Sequence, residues 1–406
     1  QAAMGGGGIF NFDSGTISIT NSLVETNHSP YGGGVSNTGA MTISTTQFKA
    51  NSADYDGGAA YNALGVLTIE RSTLGGSDSK DGNQASGGGG ILNWDGGEVF
   101  LRESTLANNQ ATCGGAVENK GNGRMEISNT TLVNNQASLE GGGVKNFETG
   151  EVEILHSTLA WNAAGAGGNL YNGIPASLNI AGSILALAPS GGNCSGAVSS
   201  SGYNLADDDS CNLQPSLNDL SNTLARIDPL TDAGGPTSTC PLQAGSPALD
   251  QIPLEEVLLS RDQRGLLRPQ GQAADIGAYE TAYISIGDTT VTEGPGSPQA
   301  VFPIVLPGGS VEDLRVYFII AAGTADSSDY APVPPPVLLA TGQVTTTLEI
   351  PILNDDLAEP AETFSVWLTA ANGYLIEDGL GVATILDDDG APPEAKSSLY
   401  LPIVYR

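Results

Sequence analysis

Apolar residues in the first half of the chain fall in short alternating bursts: Val99 and Leu101, Met125 and Ile127, Val152 and Ile154. A period of two is the spacing of strands with one buried face, and no stretch sustains the helical period. The bursts recur behind a Gly-rich phrase that closes on Asn. The phrases read GGGGIFN, GGGVSN, GGAAYN, GGGGILN, GGAVEN, GGGVKN and GGNLYN, ending at Asn11, Asn37, Asn62, Asn93, Asn119, Asn146 and Asn172. Their steps are 26, 25, 31, 26, 27 and 26 residues. About eight residues after each Asn comes a second phrase, such as VFLRESTLANN, MEISNTTLVNN or VEILHSTLAWN. A repeat of this length built from short strands is one coil of a β-solenoid, which buries its apolar face only against the coils above and below.

The stretch GGGGILNWDGG at 87–97 shows what the glycines are for. Every coil turns at the same place, and glycine there accepts positive φ and lets the next coil's backbone approach. The Asn that follows tolerates left-handed backbone, and its amide can bond the equivalent Asn one coil on, so a ladder of seven Asn is expected. Aligned coils also put Glu70 beside Arg102 and Arg71 beside Glu103 as register-marking charge pairs. The pattern resembles the parallel β-helix repeats of bacterial surface proteins, including polymorphic outer-membrane-type repeats and the pectate-lyase-like superfamily. That resemblance implies a right-handed parallel β-helix of about 7–8 coils over residues 1–190.

From Ser183 the repeat degrades. Residues 191–280 contain Gly202-Tyr203-Asn204-Leu205, Gly234-Gly235-Pro236-Thr237, Gly245-Ser246-Pro247-Ala248-Leu249-Asp250, Asp262-Gln263-Arg264-Gly265 with Arg268-Pro269, and Asp275-Ile276-Gly277-Ala278-Tyr279-Glu280. This run is similar to the choice-of-anchor Q domain that closes secreted bacterial β-helices, although that family often has His where Cys240 stands. Asp262, Arg264, Arg268 and Asp275 read as Arg forks and carboxylates tying an irregular cap to the last coil.

Residues 281–389 change character. Strand-like runs (AYISIGD, AVFPIVLP, LRVYFIIAAG, TTTLEIPIL, TFSVWLTA, GVATILDDD) alternate with Gly/Pro/Asp turns, the pattern of a β-sandwich. Val291-Thr292-Glu293-Gly294, Gly323-Thr324-Ala325, Ser328-Asp329-Tyr330, Asn354-Asp355-Asp356, Glu359 with Glu362, and Ile385-Leu386-Asp387-Asp388-Asp389 resemble a Calx-β domain. That resemblance implies an immunoglobulin-like sandwich binding calcium at one end. Carried over residue by residue, the ligand positions are Glu293, Asp329, Asp355, Asp356, Glu359, Glu362, Asp387, Asp388 and Asp389. The chemistry agrees, since calcium takes six to eight oxygens and clustered carboxylates repel one another without a cation.

Composition narrows the function. The 406 residues carry a formal net charge of −31, which opposes nucleic acid and anionic lipid and suits divalent cations and extracellular settings. No run reaches membrane-spanning length. None of the four cysteines has zinc spacing; Cys194 and Cys211 flank a polar loop and are expected to form a disulfide, while Cys113 and Cys240 either pair or stay free. The solenoid acids Asp13, Asp95 and Glu148 form no group, and His28 and His156 read as isolated surface residues, so no catalytic site is expected. Trp94, Phe147 and Tyr171 make a partial aromatic row, which leaves surface polysaccharide as a further partner and a carbohydrate-binding or polysaccharide-degrading protein as the alternative. Residues 390–406 are a Pro392-Pro393 spacer and an apolar strand with Leu399, Leu401, Ile403 and Tyr405 on one face. The entry from Gln1 straight into a coil, with no signal peptide, reads as an uncapped solenoid end. Together these point to a secreted, non-catalytic cell-surface protein whose copies join into filaments, through the open first coil and the strand at 398–406, or which acts as an adhesin.

Overall fold

The computed structural model describes residues 5–371 and 373–389. The expected terminal strand at 398–406 lies outside the described residues. The chain divides into two compact units with the boundary between Ala282 and Tyr283.

The first unit is a parallel β-solenoid. Three eight-stranded sheets run along it. One begins at Ile9–Asn11 and ends at Cys194–Gly196, the second runs from Thr16–Thr20 to Ser199–Ser200, and the third from Leu23–Glu25 to Leu205–Ala206. Equivalent residues face one another in register: Ile91 sits between Ala60 and Val117, and Leu101 between Ile69 and Ile127. Val99, Leu101 and Leu106 fill the interior with at most 1% exposure, and their counterparts on neighbouring coils are likewise buried, each contributing about 1.5–3 kcal/mol by burial. The glycines sit where the coils touch. A Cβ on Gly89 would lie 2.4 Å from the Gly115 carbonyl oxygen, and Gly88 has φ +58°, so neither place admits a side chain.

The Asn ladder is present in full. Nδ2 of Asn11, Asn37, Asn62, Asn93, Asn119 and Asn146 each donates to Oδ1 of the next Asn at 2.7–3.0 Å, ending on Asn172. A second ladder runs from Asn27 through Asn51, Asn83, Asn109, Asn135, Asn162 and Asn169 to Asn193, with steps of 2.8–3.0 Å. The sequence reading missed it, although its signal was the Asn closing five of the seven second phrases, at Asn27, Asn51, Asn109, Asn135 and Asn162.

The charge pairs are half as expected. Arg71 reaches Glu103 at 2.7 Å. Glu70 faces Arg102 in register, but Arg102 turns the other way and pairs with Glu126 at 3.1 Å. Its guanidinium lies over the Phe100 ring, and Glu126 is the register partner of Phe100 on the next coil, so stacking aims Arg102 at Glu126.

The closing segment does more than cap the last coil, which it meets where Leu220 bridges Leu205. It lies along the outer face of the third sheet across four coils. Ser238 accepts from Thr105, Arg261 accepts from Asn129, Gln263 accepts from Thr131, and the Ala278 N–H donates to Thr158. Ile227, Leu242, Ile252, Ile276 and Tyr279 pack there against Ala107, Val133, Ala160 and Ala186. The early coils have Glu25 and Lys49 at the equivalent positions, in register with each other, so apolar docking is possible only further along. His156 is buried by this packing, not exposed on the surface: it is 1% exposed, and burial, reinforced by the Arg268 cation, holds it well below the usual imidazole range. His28 is exposed.

Cys194 and Cys211 form a disulfide across 17 residues, and Cys113 and Cys240 are free thiols. Cys194→Ser should cost about 3 kcal/mol through the lost constraint on the unfolded loop. Urea unfolding followed by hydrogen exchange at 194–206 checks this.

The second unit is a two-sheet sandwich. One sheet orders Thr345–Pro351, Gln299–Val305, Tyr283–Ile286 and Leu375–Asp378; the other orders Thr289–Thr292, Leu380–Leu386, Glu362–Ala371, Leu314–Ala322 and Val337–Leu339. Residues 299–304 alternate strictly between exposed and buried, as a half-buried strand must. Phe302, Phe364 and Tyr330 meet in the core, with the Tyr330 and Phe364 rings stacked at 4.2 Å.

Candidate metal centre

The acids of the sandwich gather where its strands end. Asp329 lies in the turn after Leu314–Ala322, Glu362 opens the Glu362–Ala371 strand, Glu359 precedes it, and Asp387–Asp389 follow Leu380–Leu386. Antiparallel pairing of Ala322 with Phe364, and of Glu362 with Ile385, brings these ends together. One carboxylate oxygen each from Asp329, Glu359 and Glu362 lies within 4.8 Å of the others, all three half-buried.

The remaining expected residues border this triad. Asp387 accepts from the backbone N–H of Glu359 at 2.9 Å and of Asp389 at 2.7 Å, which fixes the turn. Asp355 accepts from the Leu357 N–H. Desolvation, then the charges of Asp387, Asp355, Glu359 and Asp388, push the Glu293 carboxyl up to about 7. Desolvation and then Asp355 and Asp329 raise Glu359. Desolvation, Asp388 and Asp387 raise Asp389, with Asp356 and Asp355 adding to it. Of the nine expected ligands, the geometry assembles Asp329, Glu359 and Glu362, and the other six, Glu293, Asp355, Asp356, Asp387, Asp388 and Asp389, supply the surrounding negative field.

Sequence reading missed Asp326. Its backbone N–H donates to Asp329 at 2.6 Å, and its own carboxylate is held by Ser328 and adds to the field on Glu359 and Glu362. The signal was available as a second acid in the same turn.

The donor set fits a hard cation. It offers only oxygen, which suits calcium or magnesium over zinc. Arg315, the one basic residue of 281–389, starts the strand whose other end leads to the site, about 23 Å away at strand rise. No salt bridge forms within the sandwich among the described residues. Asp389 Oδ2 is buried without a hydrogen-bond partner, and a buried carboxylate oxygen in that state calls for a cation or a proton.

The solenoid carries a second polar concavity. A groove of about 390 Å³ on the second sheet is lined by Glu98, Phe100, Arg124, Glu126, Glu151 and Glu153, among others. Acids therefore do meet on this face, but Arg102 holds Glu126 and Arg124 holds Glu151. Asp13, Asp95 and Glu148 are not among its lining residues.

No curated protein matches the chain. Among solved structures, it is similar to the apo form of the Calx CBD1 domain at 23% identity and a TM-score of 0.25, covering 27% of this chain and 100% of that one. It is similar to the calcium binding domain CBD12 of CALX1.1 at 24% identity and 0.25, covering 27% of this chain and 47% of that one. The Calx CBD2 domain follows at 11% identity and 0.24, covering 26% and 86%. Residues 279–389 match the Calx-beta domain family, so the chain is a β-solenoid followed by a two-sheet sandwich that matches that family.

Proposed function

We propose that the sandwich binds calcium at the Asp329, Glu359 and Glu362 carboxylates, and that the chain is a secreted, non-catalytic surface scaffold. The observation that carries the first part is the triad itself: three carboxylate oxygens within 4.8 Å of one another, ringed by further acids. Bound calcium would supply the missing positive charge, and Asp387 and Asp389 would keep the turn in place around it. The solenoid supports the scaffold reading, since it has two Asn ladders and a packed interior, and two of its four groove acids, Glu126 and Glu151, are tied to arginines. As a surface protein it would act through contact, as an adhesin or by joining copies end to end. Surface polysaccharide is a second ligand reading, favoured by the Phe100 ring among the polar groups of the groove.

Calorimetric titration of the full chain with calcium chloride tests the site. A saturable heat is expected, with stabilisation of the sandwich by about 2.7 kcal/mol at a hundredfold excess over Kd. Glu359→Gln with Glu362→Gln should abolish both. No heat and no stabilisation in the wild-type chain would overturn the proposal. Electron micrographs with calcium and with EDTA test assembly, and dispersed rods in both would end the filament reading.

The pH dependence has a definite sign. Glu293 titrates near 7 in the folded sandwich against an ordinary 4.5, so the native state binds the proton more tightly than the unfolded chain. Without metal, its contribution is present below 4.5 and is lost as pH rises to about 7. Thermal melts in EDTA across pH 4–8 should therefore show the sandwich weakening toward neutrality, and added calcium should reverse the trend.

A further inference from the structure

The five-stranded sheet of the sandwich leaves an apolar outer face. Ile319, Trp367 and Leu380 lie side by side on three adjacent strands. Ile319 is 57% exposed and Trp367 45%. Tyr317 and Leu338 extend the patch, at 38% and 59%. The outward positions nearer the carboxylates, Thr363 and Thr384, are polar. A contiguous apolar face with an exposed tryptophan on so acidic a domain marks a contact surface.

We propose that this face is covered by the chain's own segment 399–405, Leu-Tyr-Leu-Pro-Ile-Val-Tyr. Three observations favour this occupant over a foreign partner. The first is reach. The described chain leaves the sheet after Leu380–Leu386 and Asp387–Asp389, and the nine residues 390–398 span up to about 30 Å. The return from Leu386 to the level of Leu380 and Trp367 needs about 20 Å along the strand. The second is pattern, because Leu399, Leu401, Ile403 and Tyr405 alternate and present one apolar face. The third is charge. Residues 281–389 hold sixteen acids against Arg315, whereas 390–406 hold Lys396 and Arg406 against Glu394. Lys396 and Arg406, which flank the uncharged 399–405, are attracted to this domain as a whole, with Arg315 at the edge of the face beside Leu338, and a second copy of the acidic domain is repelled.

Hydroxyl-radical footprinting read by mass spectrometry tests the proposal on the full chain and on a chain ending at Ser397, both in EDTA so that calcium occupancy does not enter. Oxidation of Trp367 and Tyr317 is expected to rise several-fold when 398–406 is removed, and to fall again when the peptide Ser398–Arg406 is added. The full-length variant with Leu401→Ser and Ile403→Ser should behave like the truncated chain, while Trp94 serves as an internal reference that does not change. Equal Trp367 oxidation in all forms would overturn the proposal. So would protection that appears only with rising protein concentration alongside a dimer in sedimentation, which would assign the face to a second copy.

Discussion

Replacing Arg268 by Ala is expected to destabilise the closing segment by about 3–5 kcal/mol, because it leaves a buried carboxylate without its cation. Arg268 is fully buried. Its Nη1 donates to Glu280 at 2.9 Å and to the Asp275 carbonyl at 2.9 Å, and its Nη2 donates to the Gly277 carbonyl at 2.7 Å. Glu280 also accepts from the backbone of Gln270 and Asp275, so the carboxylate cannot turn toward water when the arginine is lost. Burial pushes the Glu280 carboxyl upward and Arg268 pulls it back. The substitution removes the second influence only. Arg264 cannot take over: it is committed to Asp262 at 2.8 Å and lies over the Tyr279 ring at 3.7 Å. Hydrogen exchange of residues 250–282 is the direct readout. Exchange there should accelerate while the coils at 35–70 keep their protection, since the segment docks on later coils. Unchanged exchange would show that apolar packing alone holds it. Arg268→Lys keeps the charge but loses the fork, so it should recover only part of the protection.

Asn93→Ala should cost a similar amount, about 3–5 kcal/mol, by leaving several buried polar groups unpaired at once. Asn93 Nδ2 donates to the Gly97 carbonyl, Asn119 Oδ1 and the Arg124 carbonyl, and its Oδ1 accepts from Asn62. All four partners lie where neighbouring coils meet, and Asn93 itself has no exposure, so water cannot replace the amide without opening the stack. Solenoid stability is approximately a sum of coil and interface terms. A weakened central interface should therefore split one urea transition into two, with the coils before and after residue 93 unfolding separately. A single transition at an unshifted midpoint would mean that the ladder contributes little beyond register.

The solenoid was legible because its signal is repeated. Each coil restates the strand alternation, the turning glycines and the Asn, so an error in one coil is corrected by the others. Seven Asn positions read from spacing form one continuous hydrogen-bonded ladder. The second ladder was equally regular in space but hidden in sequence. Its step from Asn162 to Asn169 spans seven residues where others span 24 or more, because Asn169 stands on the same coil, just before Leu170–Asn172, and Ala188 follows Ile184–Ala186 where Asn162 follows Thr158–Ala160. The acidic end of the sandwich was legible as composition and motif. Which three carboxylates meet depended on how the Glu362–Ala371 strand pairs with its two neighbours.

The closing segment marks the limit of local reading. Its Arg and Asp residues announced buried ion pairs, but nothing local says which surface they face. The partner surface was written elsewhere, as the change from Glu25 and Lys49 to Ala107, Val133, Ala160 and Ala186 at one outward position of the third sheet. His156 followed the same logic and became a core residue only because another segment lies over it. Arg102 chose Glu126 over Glu70 through a ring on its own strand. The sequence by itself determined what repeats or alternates: the coils, the strand faces, the turning glycines, the disulfide and the acidic end of the sandwich. Tertiary structure alone decided what those surfaces meet, because contacts between distant segments depend on shape and charge that no local period encodes.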